Sequence, residues 1–277
     1  MINTLIKRLN ALRLQKGEYA LVHLGQHSFI LKLGKTVIYL DPYLTPEKNR
    51  LISPLLMSED ITNADIIAGS HDHGDHIDRP AWPALAVASP DAAFIVPAAV
   101  RAAVCRDTGV AGNRIFGLND GQSIELAGVK IMAVAAAHEL LDYNPDTGLY
   151  PYLGYVFEGN GVTVYHSGDC CLYEGLQTTL KKWSFDVVIL PINGRDAKRL
   201  KRNCIGNMTY QEAADLAGAL QPKLTIPAHY DMFAMNSLNP KLFFDYMKVK
   251  YPHLKCAKPR LGTIFRGNFL KTPFARC

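Results

Sequence analysis

The sequence predicts an α/β fold that forms one domain over residues 1–277. Two observations support this prediction. Three consecutive β-like runs near the N-terminus are followed, from residue 64 onward, by short apolar runs that alternate with helical patterns. Histidine and aspartate residues recur where the apolar runs end. The chain is long enough to bury a large core, and no linker or low-complexity tract divides it.

The predicted order of elements begins with an amphipathic helix within residues 1–17, where Ile2, Leu5, Ile6 and Leu9 recur at helical spacing. A meander of three antiparallel strands follows, separated by glycine-containing turns. Beyond the meander, strands and helices alternate, with two hairpins among them. The predicted strands are 19–24, 28–33, 36–40, 64–69, 92–96, 114–118, 123–126, 129–135, 152–157, 162–166, 186–190, 223–226 and 262–266, and the predicted helices are 75–87, 98–108, 175–183, 209–220 and 240–249.

The composition is ordinary for a soluble globular protein, with 48% hydrophobic and 20% charged residues. The net charge of +5 fits a small anionic substrate and does not require nucleic acid. No apolar run approaches the length of about 18 residues that a membrane span needs, so we expect no membrane partner. The six cysteines form no CxxC pair, and we expect reduced thiols in a cytoplasmic protein.

The densest cluster of metal-ligand residues is the run 70–76, Ser-His-Asp-His-Gly-Asp-His, which follows a predicted strand directly. On an extended segment His71 and His73 point the same way, because side chains alternate with period two. The glycine then lets the chain turn, so that Asp75 and His76 face a second position. Imidazole nitrogen with carboxylate oxygen suits zinc, manganese or iron. We therefore expect one or two divalent metal ions here, in preference to a surface histidine tract that binds metal adventitiously.

Three more candidate ligands lie at the ends of later apolar runs. His138 follows the hairpin that ends in three alanines, and His229 follows a predicted strand in the sequence Pro-Ala-His. Asp169 comes after a Ser-Gly pair, where a carboxylate can bridge two cations, although it also has the character of a helix N-cap. His166 should point to the opposite face of its strand, and we interpret it as a packing residue or as a support for a ligand.

Five other residues admit more than one interpretation. Asp41 ends the meander, where it either orients a metal-bound histidine or simply begins a turn. His23 and His27 lie far from the histidine cluster in sequence and have no companion ligand, so we predict that both are structural. Cys170 and Cys171 follow a candidate ligand, and burial as small hydrophobic side chains is the favoured interpretation.

Basic residues are concentrated in a predicted loop over 193–207. Such a run is typical of a solvated face. Its position after a strand end also fits a second interpretation, in which guanidinium groups bind a phosphate or carboxylate bidentately. On the second interpretation Arg195 and Arg202 bind the substrate phosphate. Asn207 and Tyr230 would then act as polar guides for the substrate.

On these residues the chain resembles a metallo-β-lactamase-fold hydrolase. The resemblance rests on the His-Asp-His-Gly-Asp-His run, the isolated His138, and the Ser-Gly-Asp and Pro-Ala-His motifs, in that order, and it extends over residues 19–266. It implies a four-layer αββα sandwich. It also implies one metal position formed by His71, His73 and His138, a second formed by Asp75, His76 and His229, and Asp169 between them.

Within that superfamily, the segments 70–78, 165–169 and 226–231 are most similar to the L-ascorbate-6-phosphate lactonases. The resemblance implies a cytoplasmic enzyme that opens a sugar-phosphate lactone and is associated with manganese, with zinc as the other candidate. A bound cation lowers the pKa of water from about 15.7 to about 7, which supplies hydroxide for attack on the lactone carbonyl. Asp75 would then hold the nucleophile and pass its proton to the leaving alkoxide.

Two alternatives belong to other functional classes. A phosphodiesterase or RNA-processing nuclease would use the same two-metal arrangement, but no separate nucleic-acid-binding module is visible, which disfavours nucleic acid as a partner. A non-catalytic metal-binding protein would be expected to have lost ligands, yet all seven are present. The expected partner is a small anionic substrate, and a homo-oligomer is compatible with the sequence.

Overall fold

Two mixed β-sheets form the centre of the computed structural model, which describes residues 4–268. The strands are β1 (Glu18–Gly25), β2 (Ser28–Leu33), β3 (Thr36–Leu40), β4 (Ile66–Ala68), β5 (Ala93–Pro97), β6 (Ile115–Leu118), β7 (Ser123–Leu126), β8 (Val129–Ala135), β9 (Leu153–Gly159), β10 (Val162–His166), β11 (Val187–Pro191), β12 (Leu224–Ala228) and β13 (Phe265–Asn268). The α-helices are α1 (Thr4–Ala11), α2 (Trp82–Ala88), α3 (Arg101–Thr108), α4 (Leu176–Leu180), α5 (Ala197–Lys201), α6 (Tyr210–Leu220) and α7 (Lys241–Lys250).

The order of strands is β13-β1-β2-β3-β4-β5-β6 in the first sheet and β12-β11-β10-β9-β8-β7 in the second. Strands β3 to β6 are parallel to one another, as are β10 to β12, while the remaining neighbours pair antiparallel. Each sheet therefore joins a hairpin region to a parallel region. Leu31 lies opposite Ile38 and Ala133 opposite Tyr155. The register between β1 and β2 shifts between His23 and Gly25, next to the turn that joins the two strands.

The two sheets pack face to face, and helices cover both outer faces. Leu31 of β2 and Phe157 of β9 lie in the core between the sheets. Their neighbours Ile30 and Val156 point the other way, as the period of two requires. Ile30 packs with buried residues of α1, α2 and α3, and Val156 packs with those of α4, α6 and α7. The predicted four-layer αββα sandwich is thus confirmed, and coverage on both faces explains why β1 to β3 are buried throughout.

The carboxyl ends of several strands meet at one edge of the sandwich. Asp41 and His71 follow the parallel strands β3 and β4, and Asp169 and His229 follow β10 and β12. His138 follows β8, which runs in the direction of β10 because each of them is antiparallel to β9. Side chains from distant parts of the chain therefore converge at this edge.

Four predicted helices are clearly shorter in the structure. The helices predicted over 98–108 and 175–183 are α3, which begins at Arg101, and α4, which ends at Leu180. The predicted helix over 1–17 is α1, which ends at Ala11; residues 1–3 lie outside the described part of the chain. The predicted helix over 75–87 begins only at Trp82. Proline has no N–H and is tolerated in the first turn of a helix, so Pro83 marks the start of α2. The residues before it form turns that carry the metal-ligand motif.

The basic loop is more ordered than the sequence predicts, because it contains the short helix α5. Asp196 caps α5 by accepting hydrogen bonds from the backbone N–H groups of Lys198 and Arg199. Further on, Thr209 and Glu212 form a capping box at the start of α6: Glu212 N donates to Thr209 Oγ1 and Thr209 N donates to Glu212 Oε2.

Within residues 4–268, no helix is long and apolar enough to cross a bilayer.

Candidate metal centre

The seven candidate ligands lie together at the edge where β4, β8, β10 and β12 end. They form three groups, and within each group the ligand atoms lie within 4.8 Å of one another. The first and third groups correspond to the two metal positions that the resemblance implies. The second group shares His71 with the first and His76 with the third, and it adds the carboxylate of Asp169. The groups are His71 with His73 and His138, His71 with His76 and Asp169, and Asp75 with His76 and His229.

Asp169 lies between the two implied metal positions. Its Oδ1 is 3.3 Å from His76 Nε2, and its Oδ2 is 3.2 Å from His229 Nε2 and 3.8 Å from His138 Nε2. Asp169 Oδ1 and His76 Nε2 are buried and make no hydrogen bond. A buried polar atom without a partner costs about 1–3 kcal/mol, so lone pairs left in this way suit a cation. The donor set of imidazoles and carboxylates therefore fits a divalent metal ion.

The ionisation of the ligands suits metal binding. Burial raises the pKa of Asp169, but the imidazoles of His229 and His76 outweigh burial and hold that pKa well below its ordinary value. The carboxylate is therefore anionic at neutral pH. Burial lowers the pKa of His71 well below its ordinary value and that of His138 to about 4, so both imidazoles are neutral and have a lone pair to offer.

Asp41 supports this centre from behind. Its Oδ2 accepts hydrogen bonds from His76 Nδ1 at 2.7 Å and from Ser70 Oγ at 2.8 Å, and its Oδ1 accepts one from Ser70 N at 2.7 Å. Burial lowers the pKa of His76, but Asp169, Asp41 and Asp75 together raise it well above its ordinary value. Of the two interpretations of Asp41, these contacts favour the one in which it orients a ligand.

Strained backbone is concentrated around the centre. Gln26, Asp41, Glu139 and His229 all have positive φ angles, of 55°, 43°, 72° and 57°. Each is a ligand or lies beside one in sequence or in space. Non-glycine residues hold this conformation at a cost of order 1–3 kcal/mol, and such strain clusters at functional sites where surrounding contacts enforce it.

The glycine of the Ser-Gly-Asp motif is required by both conformation and space. Gly168 has a φ of +58°, and a Cβ added there would lie 2.7 Å from Leu153 O and from Ser70 Cβ. Any side chain would push the strand end away from its neighbours. Gly168 therefore allows the close packing that places Asp169 between the histidines.

Two residues that the sequence analysis did not assign to the centre contact it. His27 Nδ1 lies 3.8 Å from Asp169 Oδ1, and neither ring nitrogen of His27 makes a hydrogen bond. His27 is far from the candidate ligands in sequence, but the fold brings it beside Asp169, contrary to the expectation that it has no companion ligand. Gln26 Nε2 donates to Asp75 Oδ2 at 2.9 Å and lies 3.1 Å from His229 Nε2. The glycine-containing turn between β1 and β2 was the signal that the chain bends there, but its partners are about 50 and 200 residues away.

His23 and His166 have packing and hydrogen-bond contacts that fit the structural and supporting roles predicted for them. His23 Nε2 lies 3.3 Å from Gln26 O and its ring stacks on Phe29. His166 Nε2 lies 3.0 Å from His27 O and 3.8 Å from Asp41 Oδ2, so it packs behind the ligands. Both histidines support the turn that carries Gln26.

A cavity of about 660 Å³ opens over the centre. Its floor includes five of the candidate ligands, and its walls come from the segment after β3, the end of the basic loop and the segment after β12. The lining residues are Glu47, Asn49, His73, Asp75, His138, Asp169, Arg202, Asn203, Cys204, Ile205, His229, Phe233, Ala234, Met235 and Asn236.

Of the four predicted substrate-binding residues, only Arg202 is among these lining residues. Arg195 instead forms a bidentate ion pair with Glu212, with N···O distances of 2.6 and 2.8 Å. Asn207 is buried and donates to Asn193 Oδ1. Tyr230 is also buried, and its ring packs against His23. The structure therefore gives Arg195, Asn207 and Tyr230 contacts within the protein, away from the cavity wall.

Comparison with known proteins agrees with this geometry. The Beta-lactamase superfamily domain matches residues 36–230. A UPF0173 metal-dependent hydrolase of Thermococcus onnurineus (strain NA1) is 30% identical over 221 residues, which are 79% of this chain and 88% of that protein. Another, of Pelotomaculum thermopropionicum, is 28% identical over 225 residues, again 79% of this chain and 88% of that protein.

Among solved structures, that of Igni18, a metallo hydrolase of Ignicoccus hospitalis KIN4/I, is similar with a TM-score of 0.72 at 21% identity. The alignment covers 91% of this chain and 99% of that one, which shows a shared fold. Since the superfamily domain extends over most of the chain, and a relative at 30% identity aligns over 79% of it, the chain belongs to the beta-lactamase superfamily and, within it, to the UPF0173 metal-dependent hydrolases.

Proposed function

We propose that this chain hydrolyses an ester or lactone bond of a small anionic substrate, and that a phosphorylated sugar lactone, as opened by the L-ascorbate-6-phosphate lactonases, is the first candidate. The observation that carries the proposal is the position of Arg202, which lines the same cavity as the candidate ligands. Arg195 and Arg199 are engaged by Glu212 and by backbone carbonyls. Within residues 4–268, no hydrogen bond or ion pair occupies the Arg202 guanidinium, which leaves it available to an anionic group.

A divalent metal ion held by the candidate ligands would lower the pKa of a water molecule from about 15.7 to about 7 and would polarise the bond to be cleaved. Manganese and zinc are the two candidates. The residues that would hold it are His71, His73, Asp75, His76, His138, Asp169 and His229.

Asp75 is the residue best placed to move a proton. Its side chain is 22% exposed, against 5% for Asp169, and it lines the cavity. Burial raises the pKa of Asp75, but His76 and His229 lower it below its ordinary value, so it is anionic at neutral pH. Its Oδ2 faces Gln26, His76 and His229, while Oδ1 makes no hydrogen bond within residues 4–268. Oδ1 would accept a proton from the attacking water and return it to the leaving oxygen.

We also propose a cytoplasmic location. The cysteines of the described residues are all free thiols, which fits a reducing compartment. They are Cys105, Cys170, Cys171, Cys204 and Cys256.

A second candidate function, phosphodiester hydrolysis, is favoured by one further observation. A neighbouring cavity of about 540 Å³ shares Arg202, Ala234 and Met235 with the first. Its other lining residues include Lys198 and Lys201 of the basic loop. A substrate with a longer anionic backbone would extend from the centre into this basic cavity.

The two functions are separated by hydrolysis assays on metal-stripped protein that has been reconstituted with manganese or with zinc. The substrates are a phosphorylated sugar lactone and bis(p-nitrophenyl) phosphate. Metal-dependent lactone opening that Arg202→Ala weakens through KM by about tenfold or more, with kcat nearly unchanged, is the expected result. Arg106→Ala, which removes an exposed guanidinium paired with Asp107, is the control and should leave KM unchanged. Cleavage of the phosphodiester with no action on the lactone would overturn the first proposal in favour of the second.

A further inference from the structure

Gln26 lies within the candidate metal centre although it is a neutral residue. Its side chain is fully buried. The amide nitrogen Nε2 is 2.9 Å from Asp75 Oδ2 and 3.1 Å from His229 Nε2. Asp75 and His229 both belong to the candidate group formed by Asp75, His76 and His229. The amide therefore contacts the same lone pairs that a cation in this position would need.

Two hydrogen bonds fix the backbone of Gln26. Gln26 N donates to Asp231 Oδ1 at 2.8 Å, and Gln26 O accepts from His229 N at 2.8 Å. These bonds tie the turn between β1 and β2 to the segment that carries His229. They maintain a left-handed backbone, with φ of 55°, that glutamine seldom adopts. The fold thus fixes the amide at the centre at the cost of local strain.

The other end of the amide is left without a partner. Gln26 Oε1 is buried and makes no hydrogen bond. A buried acceptor in this state is destabilising, because it has lost its hydrogen bonds to water. The terminal torsion of glutamine is broad and roughly two-fold, and oxygen and nitrogen are nearly equal in size, so a half-turn exchanges Oε1 and Nε2 with little other movement.

We propose that Gln26 is a neutral oxygen ligand of the metal position formed by Asp75, His76 and His229. An amide N–H competes with a cation for the lone pairs of Asp75 and His229, whereas Oε1 turned toward the cation adds a donor. This inference rests on the proposed metal-dependent function and concerns one residue that the implied ligand set does not include.

The proposal has a consequence for metal choice. A neutral oxygen adds to two imidazoles and the carboxylates of Asp75 and Asp169, which raises the coordination number above the four that zinc prefers in closed sites. Oxygen-rich, higher-coordinate sites suit manganese. Removal of the amide oxygen should therefore weaken manganese binding more than zinc binding.

The test uses metal-stripped full-length protein titrated with Mn²⁺ and Zn²⁺ by calorimetry, and the visible absorption of the Co²⁺-loaded protein. Gln26→Met keeps the size of the side chain and removes the oxygen. Gln26→Glu keeps an oxygen ligand but cannot donate to Asp75. Gln221→Met is the matched control, because Gln221 is also a glutamine with positive φ, of 53°, and lies exposed at the C-terminal end of α6. Circular dichroism and thermal unfolding check that each variant is folded.

The proposal predicts that Gln26→Met lowers the affinity for one of the bound Mn²⁺ ions by about tenfold or more. It also predicts that the visible absorption of the Co²⁺-loaded variant is more intense, because the coordination number falls. Gln26→Glu binds at least as tightly as wild type, and Gln221→Met is unchanged. Unaltered Mn²⁺ affinity in Gln26→Met, or a Gln26→Glu variant as weak as Gln26→Met, overturns the inference and leaves the proposed function standing. A wild-type protein that binds no divalent metal overturns both together.

Discussion

Asp41 Oδ2 accepts a hydrogen bond of 2.7 Å from Nδ1 of His76, a residue 35 positions further along the chain. This bond holds a proton on Nδ1, so that Nε2, which lies 3.3 Å from Asp169 Oδ1, is the nitrogen that a metal ion would bind. The left-handed backbone of Asp41, with φ of 43°, is part of the geometry that aims its carboxylate. A residue at the end of the first meander thus sets the tautomer of a candidate ligand.

We expect Asp41→Asn to lower the affinity for divalent metal by about 10–100-fold while the protein stays folded. Asparagine tolerates the left-handed backbone, but its amide nitrogen cannot accept the proton of His76 Nδ1 while its oxygen accepts from Ser70 N. Competition against a chromophoric chelator measures the change.

The matched control is Asp186→Asn, which alters another buried aspartate. Asp186 accepts from Thr163 N and pairs with Lys223 at 2.7 Å. This variant should lose stability and keep its metal affinity. Equal losses of metal affinity in the two variants would show that Asp41 has no special relation to the centre.

Added metal should stabilise the fold. At a free concentration of 100 times the Kd, a single bound ion contributes about 2.7 kcal/mol to the free energy of unfolding. For a chain of this size that is a rise in Tm of roughly 5–10 °C. Differential scanning fluorimetry before and after chelation measures it. His71→Ala, which removes a member of two candidate groups, should lose most of the rise, and an undiminished rise would place the bound metal elsewhere.

The ion pair between Arg195 and Glu212 should affect stability and leave substrate binding unchanged. Arg195 lowers the pKa of Glu212, so the ionised carboxylate stabilises the fold above its unfolded pKa of about 4.3. That contribution is lost as the pH falls through the lower, folded pKa. Glu212→Gln keeps the capping box and removes the charge.

Because the side chains are 28% and 40% exposed, we expect Glu212→Gln to cost no more than about 1 kcal/mol. Urea unfolding at neutral pH should show this difference from wild type, and the difference should disappear in acid. In the assays above, Arg195→Ala should leave KM unchanged where Arg202→Ala raises it. A raised KM in Arg195→Ala would restore Arg195 as a substrate-binding residue.

Gly168→Ala should destabilise the protein by more than about 2 kcal/mol, because strain of the left-handed backbone adds to the clash with Leu153 and Ser70. Gly121→Ala separates the two effects, since Gly121 also has a positive φ, of +73°, but no atom lies within 4 Å of an added Cβ. That control should cost about 1 kcal/mol. Chemical denaturation measures both, and equal costs would mean that the strand end yields to the added methyl group.

Local patterns in the sequence predicted the α/β class, many of the strand positions and the candidate ligands, whereas the four-layer sandwich was implied by the family resemblance. The strands β2, β7 and β8 begin and end at the predicted residues, because alternation and turn residues are properties of short segments. The ligands were identifiable for a similar reason. Residues at the ends of parallel strands must meet at one edge, so His71, Asp169 and His229 could be grouped before any contact was known.

Only the tertiary structure decided which neighbours support and complete the centre. Gln26 and His229 are separated by 203 positions, and Arg195 and Glu212 by 17 positions, with no local pattern that links either pair. From the sequence we predicted that His27 lies apart from the ligands and that Arg195 binds the substrate. A side-chain contact of about 3 Å depends on how the two sheets pack and on which charged groups the fold brings together. The hydrophobic period of a single strand or helix contains neither kind of information.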